Sequence, residues 1–294
     1  CFKELGHEVN IKSSFGERFP KNLIPTKEET LKYHNLKYLT NEDISWDYKM
    51  GTNIDTDADL CFTRGFEYRT VKKYPSIIWT VIKEELFDSR NIIKFWTNSE
   101  TTRNRFGKLK DKTDILIPPH DYSVFRDNSE KENEYDIVSI LRGNDFKLKG
   151  IHTYASLVKK LNCKSMLITT ATNDKILKQL EKLGLPFVYN QTKEEVAKIL
   201  GKSKLFFFPS YYESCPLVIY EALNAGNTIV SRNIGAVKEQ IGDKGYIFNQ
   251  DDEILNTVKK GLNNPINSKE VIERGKRFDR KNVINRIEEK LKEI

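Results

Sequence analysis

The stretch YYESCPLVIYEALNAG, residues 211–226, places Glu213 and Glu221 eight positions apart. Pro216 lies between them and Gly226 ends the stretch, a pattern that favours a helix with Pro216 in its first turn. The N-terminus of a helix has unpaired amides and the positive end of the helix dipole, which favour a phosphate. Carboxylates on either side accept hydrogen bonds from hydroxyl groups. The stretch therefore predicts a site for a diphosphate that carries a hydroxyl-rich group on each side.

A structural interpretation of the same pair is also open. Glu213 would then be a solvated loop residue, and Glu221 would be an exposed residue of the helix. Their spacing does not distinguish the two interpretations, so the surrounding elements have to decide between them.

The second half of the chain alternates apolar strands with amphipathic helices. The strands are predicted to start at residues 136, 165, 186, 205, 228 and 245. Thr192 and Glu195 form the pattern of a capping box at the start of one helix. Such alternation predicts an α/β fold with a parallel sheet covered on both faces. Doubly wound sheets bind ligands at the carboxyl ends of their strands, which is where the stretch at 211–226 would lie.

The first half is less regular. Strands are predicted at 9–12, 59–63, 76–80, 91–96 and 114–119, whereas 14–58 has no clear pattern. The polar segment 126–135 is predicted to be a linker, and the last 14 residues to be an amphipathic helix. The chain begins without Met, at CFKELGHEV, and we expect the start of the first domain to lie upstream of Cys1.

Composition limits the protein class. With 38% hydrophobic and 31% charged residues, the 294-residue chain suits globular domains and excludes a disordered protein. No uncharged apolar run approaches the roughly 20 residues of a membrane span. The four cysteines contain no C-x-x-C pair, which argues against a zinc site or a disulfide framework and predicts a reducing compartment, the cytoplasm.

The net charge of +7 lies entirely in the second half: residues 1–130 carry 21 basic and 21 acidic side chains, and residues 131–294 carry 28 and 21. This excess suits an anionic small ligand, an anionic membrane surface or nucleic acid, and it also suits an ordinary Lys-rich surface.

The segment from Phe206 to Phe248 resembles the donor-binding segment of family 4 retaining glycosyltransferases, within glycosyl transferases group 1, which have the GT-B fold. The residues that carry the resemblance are Pro209, Ser210, Glu213, Glu221, Ala222, Gly226, Gly235, Glu239 and Gly245. It implies two doubly wound Rossmann-like domains facing across a cleft. An acceptor-side domain is expected at 1–128, a donor-binding domain at 129–276, and a helix at 277–294 that returns to the first domain.

The resemblance also implies roles for individual residues. Glu213 would orient the hydroxyls of the donor sugar, and Glu221 would bind the ribose. SILRGNDFKLKG resembles the family's loop whose Arg and Lys contact the diphosphate, which assigns Arg142 and favours Lys149 over Lys147. Glu213, Arg142 and Lys149 are the expected catalytic residues. The expected donor-binding residues are Lys147, Tyr189, Asn190, Ser214, Cys215, Leu217 and Glu221.

The implied reaction moves a sugar from a nucleoside-diphosphate sugar to a hydroxyl of a glycan, lipid or protein acceptor. No cofactor and no metal are expected, because Lys and Arg replace a divalent cation. A peripheral contact with a membrane fits the basic second half, and nucleic acid is not the expected partner.

The chain departs from the family pattern in several ways. The Gly-rich loop after the first strand is absent, SIIWTVIKEE lacks the usual histidine, and Cys215 and Pro216 replace the more common Phe and Gly. These departures leave open a non-catalytic GT-B-like protein that binds a nucleotide or nucleic acid. An NAD-dependent oxidoreductase is disfavoured, since no G-x-G-x-x-G follows a strand.

Overall fold

A computed structural model describes residues 92–117, 120–128, 133–143, 145–171 and 173–293, together with four strands nearer the start of the chain. Within these residues the protein is an α/β structure. Its largest element is a six-stranded parallel sheet, which contains all six strands predicted in the second half.

The six strands of this sheet are β7 (Tyr135–Arg142), β8 (Ser165–Thr170), β9 (Phe187–Tyr189), β10 (Ser203–Phe208), β11 (Thr228–Arg232) and β12 (Gly245–Phe248). Their order is β12-β11-β10-β7-β8-β9, and neighbouring strands pair in parallel. The central strands are buried on both faces, which explains the unbroken apolar run Leu205–Phe208.

Helices connect these strands and cover the sheet. In chain order the helices of the described residues are α1 (Glu100–Arg103), α2 (Ser123–Arg126), α3 (Ile151–Leu161), α4 (Asp174–Glu181), α5 (Lys193–Gly201), α6 (Leu217–Asn224), α7 (Val237–Ile241), α8 (Ile254–Asn263), α9 (Ser268–Lys276) and α10 (Arg280–Lys292). Segments of 3₁₀ type span Asn104–Lys112 and Asp251–Glu253. The predicted capping box is confirmed at the start of α5, where Thr192 and Glu195 bond each other's backbone amides.

The other strands are β1 (Ile11–Ser14), β2 (Ile44–Asp47), β3 (Cys61–Arg64), β4 (Ser76–Trp79), β5 (Ile92–Thr97) and β6 (Thr113–Ile115). β1 pairs with β2, and β3-β4-β5-β6 form a four-stranded sheet. β2 was missed, because 14–58 gave no pattern; the rest of 15–58 lies outside the described residues. The strand predicted at 114–119 is shorter than expected: it is β6, which ends at Ile115.

Two compact units are distinguished by their internal contacts. One unit comprises 1–97, 106–114 and 284–294, and the other comprises 98–105 and 115–283. The predicted domain boundaries at 128/129 and 276/277 stay predictions. The predicted linker begins at Arg126, which ends α2 and pairs with Asp279 at 2.7 Å within the second unit. In the described residues, no helix has the length and apolar character to span a membrane.

Candidate functional site

The strand order reverses between β7 and β10. From β7 the chain winds outward through β8 and β9, and it then returns to the other side of β7 through β10. Loops that leave adjacent strands in opposite directions open a crevice at the carboxyl edge of the sheet. The two loops here are 143–150 and 209–216, which contain the predicted Lys and Glu residues.

These two loops are bonded to each other directly. The Tyr211 amide donates to the Leu148 carbonyl at 2.8 Å, and the Ser210 hydroxyl donates to the same oxygen at 3.3 Å. Gly150 has φ +71°, and a Cβ atom there would lie 2.7 Å from the Pro209 carbonyl oxygen. Glycine is therefore required for this close approach.

An ion pair joins two of the predicted catalytic residues. The ammonium of Lys149 donates to Oε1 of Glu213 at 2.7 Å and to the Tyr212 carbonyl at 3.4 Å. The two side chains are 15% and 25% exposed. Lys147 is exposed on the same loop, and Arg142 is exposed at the end of β7. Of the two candidate lysines, Lys149 is the one that contacts Glu213.

Helix α6 begins at Leu217, with Pro216 as its N-cap residue. The prediction that Pro216 lies in the first turn was therefore wrong by one position. The correction matters chemically, because the missing N–H of proline then lies outside the helix and the first-turn amides keep their protons. Ser214 and Cys215 immediately precede this helix end.

Gly235 allows the loop before α7 to lie close to the backbone that precedes α6. It has φ +48°, and a Cβ atom there would lie 2.4 Å from the carbonyl oxygens of both Glu213 and Ser214. The next amide, that of Ala236, donates to the Ser214 carbonyl at 2.8 Å. The loop before α7 thus fixes the backbone that carries Glu213.

Cys215 packs against Tyr220 of α6. Its sulfur lies 3.3 Å from the Tyr220 hydroxyl, and burial raises the pKa of the Cys215 thiol to about 11. Because the thiolate is the reactive form, the neutral thiol acts here as packing beside the helix start.

Glu221 is half-buried on α6 and accepts no hydrogen bond within the described part of the chain. Burial raises the pKa of the Glu221 carboxyl to about 7, although the positive charge of Lys193 acts to lower it. The buried hydroxyl of Tyr122 also has no hydrogen-bond partner in the described residues. The pKa of this hydroxyl is raised mainly by burial and to a smaller extent by the negative charge of Glu221. Glu221 and Tyr122 thus each present a polar group that the described residues leave without a hydrogen bond.

Tyr189 and Asn190 lie at the end of β9, two strands away from β7. Tyr189 is 44% exposed. Asn190 has φ +53°, and its side-chain amide donates to the Ala171 carbonyl at 3.0 Å and accepts from the Ala171 amide at 3.1 Å. The side-chain amide of Asn190 thus fixes the end of β9. The side chain of Tyr189 faces solvent.

Glu239 has a structural role that the sequence did not predict, although it belongs to the quoted family pattern. Its carboxylate accepts from the amides of Glu100 at 2.8 Å and Thr101 at 2.7 Å, and also from the Thr101 hydroxyl. Both amides lie in the first turn of α1, where the helix itself supplies no acceptor, so Glu239 caps that helix and fastens the segment 98–105.

Two histidines can be placed. The backbone of His120 pairs with that of Asp279 in an isolated parallel β-bridge. The pKa of the His120 ring is lowered mainly by burial and also by the positive charges of Lys193 and Arg280. The ring of His152 lies 5.5 Å from that of Phe146. His7 and His34 lie outside the described residues. Across those residues, no group of three or more His, Cys, Asp and Glu side chains is arranged to hold a metal ion.

Comparison with known proteins places the chain among sugar-transferring enzymes. The family model for glycosyl transferases group 1 matches residues 124–278, which is more than half of the chain. Lipopolysaccharide glucosyltransferase WaaG of Escherichia coli (strain K12) is 21% identical over 81% of this chain and 75% of that protein. The GDP-Man:Man(3)GlcNAc(2)-PP-Dol alpha-1,2-mannosyltransferase of Xenopus laevis is 30% identical over 46% of this chain and 32% of its own length.

Solved structures show the same fold at low identity. A glycosyltransferase from Rickettsia africae superposes with a TM-score of 0.68 at 13% identity, over 97% of this chain and 98% of its own. Sucrose-phosphate synthase from Thermosynechococcus elongatus gives 0.64 at 14% identity, over 91% and 76%. Anabaena Alr3699/HepE, solved in complex with UDP, gives 0.61 at 16% identity, over 75% and 72%. The predicted GT-B fold class is confirmed.

Proposed function

Because the chain belongs to the glycosyl transferases group 1 family and is a glycosyltransferase, we propose that it is a family 4 retaining enzyme. It moves a sugar from a nucleoside-diphosphate sugar to an acceptor hydroxyl without a metal ion. The observation that carries this proposal is the 2.7 Å pair of Lys149 and Glu213 at the point where the strand order reverses. One partner suits a phosphate and the other suits sugar hydroxyls.

The donor diphosphate binds Lys149, Arg142 and the first-turn amides of α6, with Lys147 close by on the same loop. Ser214, Cys215 and Leu217 shape that helix end. The base meets the backbone of Tyr189 and Asn190 at the end of β9. Glu221 accepts from the ribose, and the raised pKa of its carboxyl is consistent with a site that is completed by a hydroxyl donor.

In the reaction, the bond between the anomeric carbon and the diphosphate oxygen breaks, and a bond to the acceptor oxygen forms on the same face of the sugar, while the acceptor hydroxyl gives its proton to the departing diphosphate oxygen. The leaving diphosphate gains negative charge as its bond lengthens. Fixed positive groups at that position stabilise the transition state more than the ground state. Glu213 orients the sugar hydroxyls, and no side chain is assigned as a covalent nucleophile.

The acceptor is proposed to be a glycan hydroxyl bound by the N-terminal domain at 1–128. Support comes from the names of the two relatives, which describe transfer in lipopolysaccharide and to Man(3)GlcNAc(2)-PP-Dol. A cytoplasmic protein that contacts a membrane peripherally would have access to such acceptors, and the basic residues at 131–294 suit an anionic surface.

The test compares Glu213→Gln and Lys149→Met with the wild-type protein. Binding is measured by calorimetry for UDP, GDP and ADP and for their sugar conjugates, and turnover is measured as release of nucleoside diphosphate. We expect Lys149→Met to weaken binding of both the diphosphate and the donor by about tenfold or more, because each loses a charge-assisted contact. Glu213→Gln should weaken binding of the sugar-bearing donor and lower turnover, while binding of the free diphosphate is retained.

The matched control is Lys160→Met, which removes an exposed lysine from the last turn of α3. It should change neither binding nor turnover. If the wild-type protein binds a diphosphate but turns over no donor, the chain is a nucleotide-binding member of the fold. If it binds none, the donor site is wrongly assigned.

A further inference from the structure

Three residues with no role assigned above form a cluster at the loop that carries Glu213, and one of them belongs to that loop. Arg232 ends β11, Asp251 follows β12, and Tyr211 lies two residues before Glu213. Arg232 is 7% exposed, so its charge is largely removed from water and requires a partner. The cluster of Arg232, Asp251 and Tyr211 is called the clamp below.

The carboxylate of Asp251 joins the other two members of the clamp. One oxygen accepts from Nη2 of Arg232 at 2.5 Å, and the other accepts from the Tyr211 hydroxyl at 2.7 Å. The hydrogen bond from Arg232, and to a smaller extent that from Tyr211, lowers the pKa of the Asp251 carboxyl. The guanidinium carbon of Arg232 also lies 4.0 Å from the centre of the Tyr211 ring. The ion pair, the hydrogen bond and the contact between guanidinium and ring together fix one orientation of the Tyr211 ring.

The clamp is attached to the loop through the backbone as well. Nε of Arg232 donates to the Pro209 carbonyl at 3.3 Å, and the Tyr211 amide is held by Leu148 on the loop that contains Lys149. Both ends of the Pro209–Tyr211 segment are thus fixed. The next residues, Tyr212 and Glu213, contact the Lys149 ammonium.

The position of Asp251 argues for orientation rather than for stability. Its side chain is 59% exposed, so water screens the carboxylate and reduces what its pair with the buried Arg232 contributes to the free energy of unfolding. The same carboxylate nevertheless directs a buried guanidinium and a phenol toward the loop. Groups that act on a substrate must be held close to their productive geometry by such supporting contacts.

We propose that Arg232, Asp251 and Tyr211 are positioning residues that hold the Glu213 loop in the geometry needed to orient the donor sugar. The proposal rests on the proposed function, because it assigns Glu213 to the sugar. No member of the clamp is itself assigned to the diphosphate, which is held by Lys149, Arg142 and the first-turn amides of α6. Loosening the clamp therefore lowers kcat and leaves the KM for the donor nearly unchanged.

The test measures kcat, KM and Tm for Tyr211→Phe, Asp251→Asn and the double variant. Each single variant is expected to lower kcat about tenfold with KM within about twofold, since a small displacement of an orienting group reduces the rate. The double variant should be little worse than Asp251→Asn alone, because both changes break one network.

Two matched controls separate positioning from general damage. Asp252→Asn removes the adjacent exposed carboxylate, and Tyr246→Phe removes a hydroxyl that donates to the Asn264 carbonyl at 2.7 Å on another part of the sheet. Neither should change kcat. A lowered Tm with unchanged kcat in the Tyr211 and Asp251 variants would overturn the proposal, because the clamp would then serve folding alone.

Hydrogen exchange provides a readout that does not depend on turnover. Asp251→Asn should accelerate exchange of the amides at 210–215, and Asp252→Asn should not. If the wild-type protein turns over no donor, the proposed function fails, and exchange still decides whether the clamp holds the loop. Unchanged exchange in Asp251→Asn overturns the clamp whatever the activity.

Discussion

At the scale of single residues, the protonation of Glu221 links stability to pH. Burial raises the pKa of its carboxyl from an ordinary 4.5 to about 7 in the folded protein. The folded state therefore retains a proton that the unfolded chain has already lost. The stability associated with this proton is fully present below about pH 4.5, and it is lost as the pH rises through 7.

We expect Glu221→Gln to unfold at a higher temperature than the wild-type protein at pH 8 and at nearly the same temperature at pH 4.5. The difference at high pH corresponds to roughly 3–4 kcal/mol, because each pKa unit is worth about 1.4 kcal/mol. Melting curves from pH 4.5 to 8 test this, with Glu181→Gln, at the exposed end of α4, as the control. A difference in melting temperature that does not change with pH would contradict the raised pKa of the Glu221 carboxyl.

The same residues show how far a sequence can predict a site. The adjacency of the loops that carry Lys149 and Glu213 follows from the predicted strand alternation, whereas the preference for Lys149 over Lys147 came from the resemblance to the family loop. The 2.7 Å contact of Lys149 with Glu213 is a finding of the structure. The partner of Asn190 and the capping role of Glu239 were not predictable. Their hydrogen bonds connect backbone groups far apart in the chain, and residue type does not specify which distant amide a side chain will meet.

At the scale of elements, the site depends on how closely the loop before α7 approaches the Glu213 loop. Gly235→Ala places a methyl group 2.4 Å from two backbone oxygens, so the backbone has to move. Gly184→Ala is the matched control, with φ +62° and nothing within 4 Å of the added atom. A positive φ alone costs about 1–2 kcal/mol.

We expect Gly235→Ala to lower the free energy of unfolding by at least about 2 kcal/mol more than Gly184→Ala, because overpacking adds to the backbone strain. It should also reduce donor turnover, since Glu213 moves. Urea unfolding and turnover measured on both variants test this. Equal losses of stability would mean that the close approach has no energetic consequence.

Elements were predicted best where each one buries a continuous apolar face. β10 and the terminal helix α10 are examples, because periodicity reports burial directly. β2 was missed because the surrounding segment mixes Lys, Asn, Thr and Tyr. The start of α6 was misplaced by one residue, since proline suits the N-cap conformation as well as the first turn.

At the scale of the whole molecule, the assigned donor residues all belong to the unit that contains 115–283. A nucleoside diphosphate should therefore slow hydrogen exchange most in this unit, around 142–150 and 209–221. At a hundred times its Kd it should stabilise the folded state by about 2.7 kcal/mol. Exchange with and without the diphosphate tests this. Protection confined to residues before 97 would contradict the site.

The strand lengths of the six-stranded sheet have a further consequence, for aggregation. The outermost strands, β9 and β12, contain three and four residues, whereas β7 at the centre contains eight. Unpaired backbone groups on an edge strand are a template to which another chain can add. Such short edges offer few of these groups, so this sheet is poorly suited to recruiting copies of itself at high protein concentration.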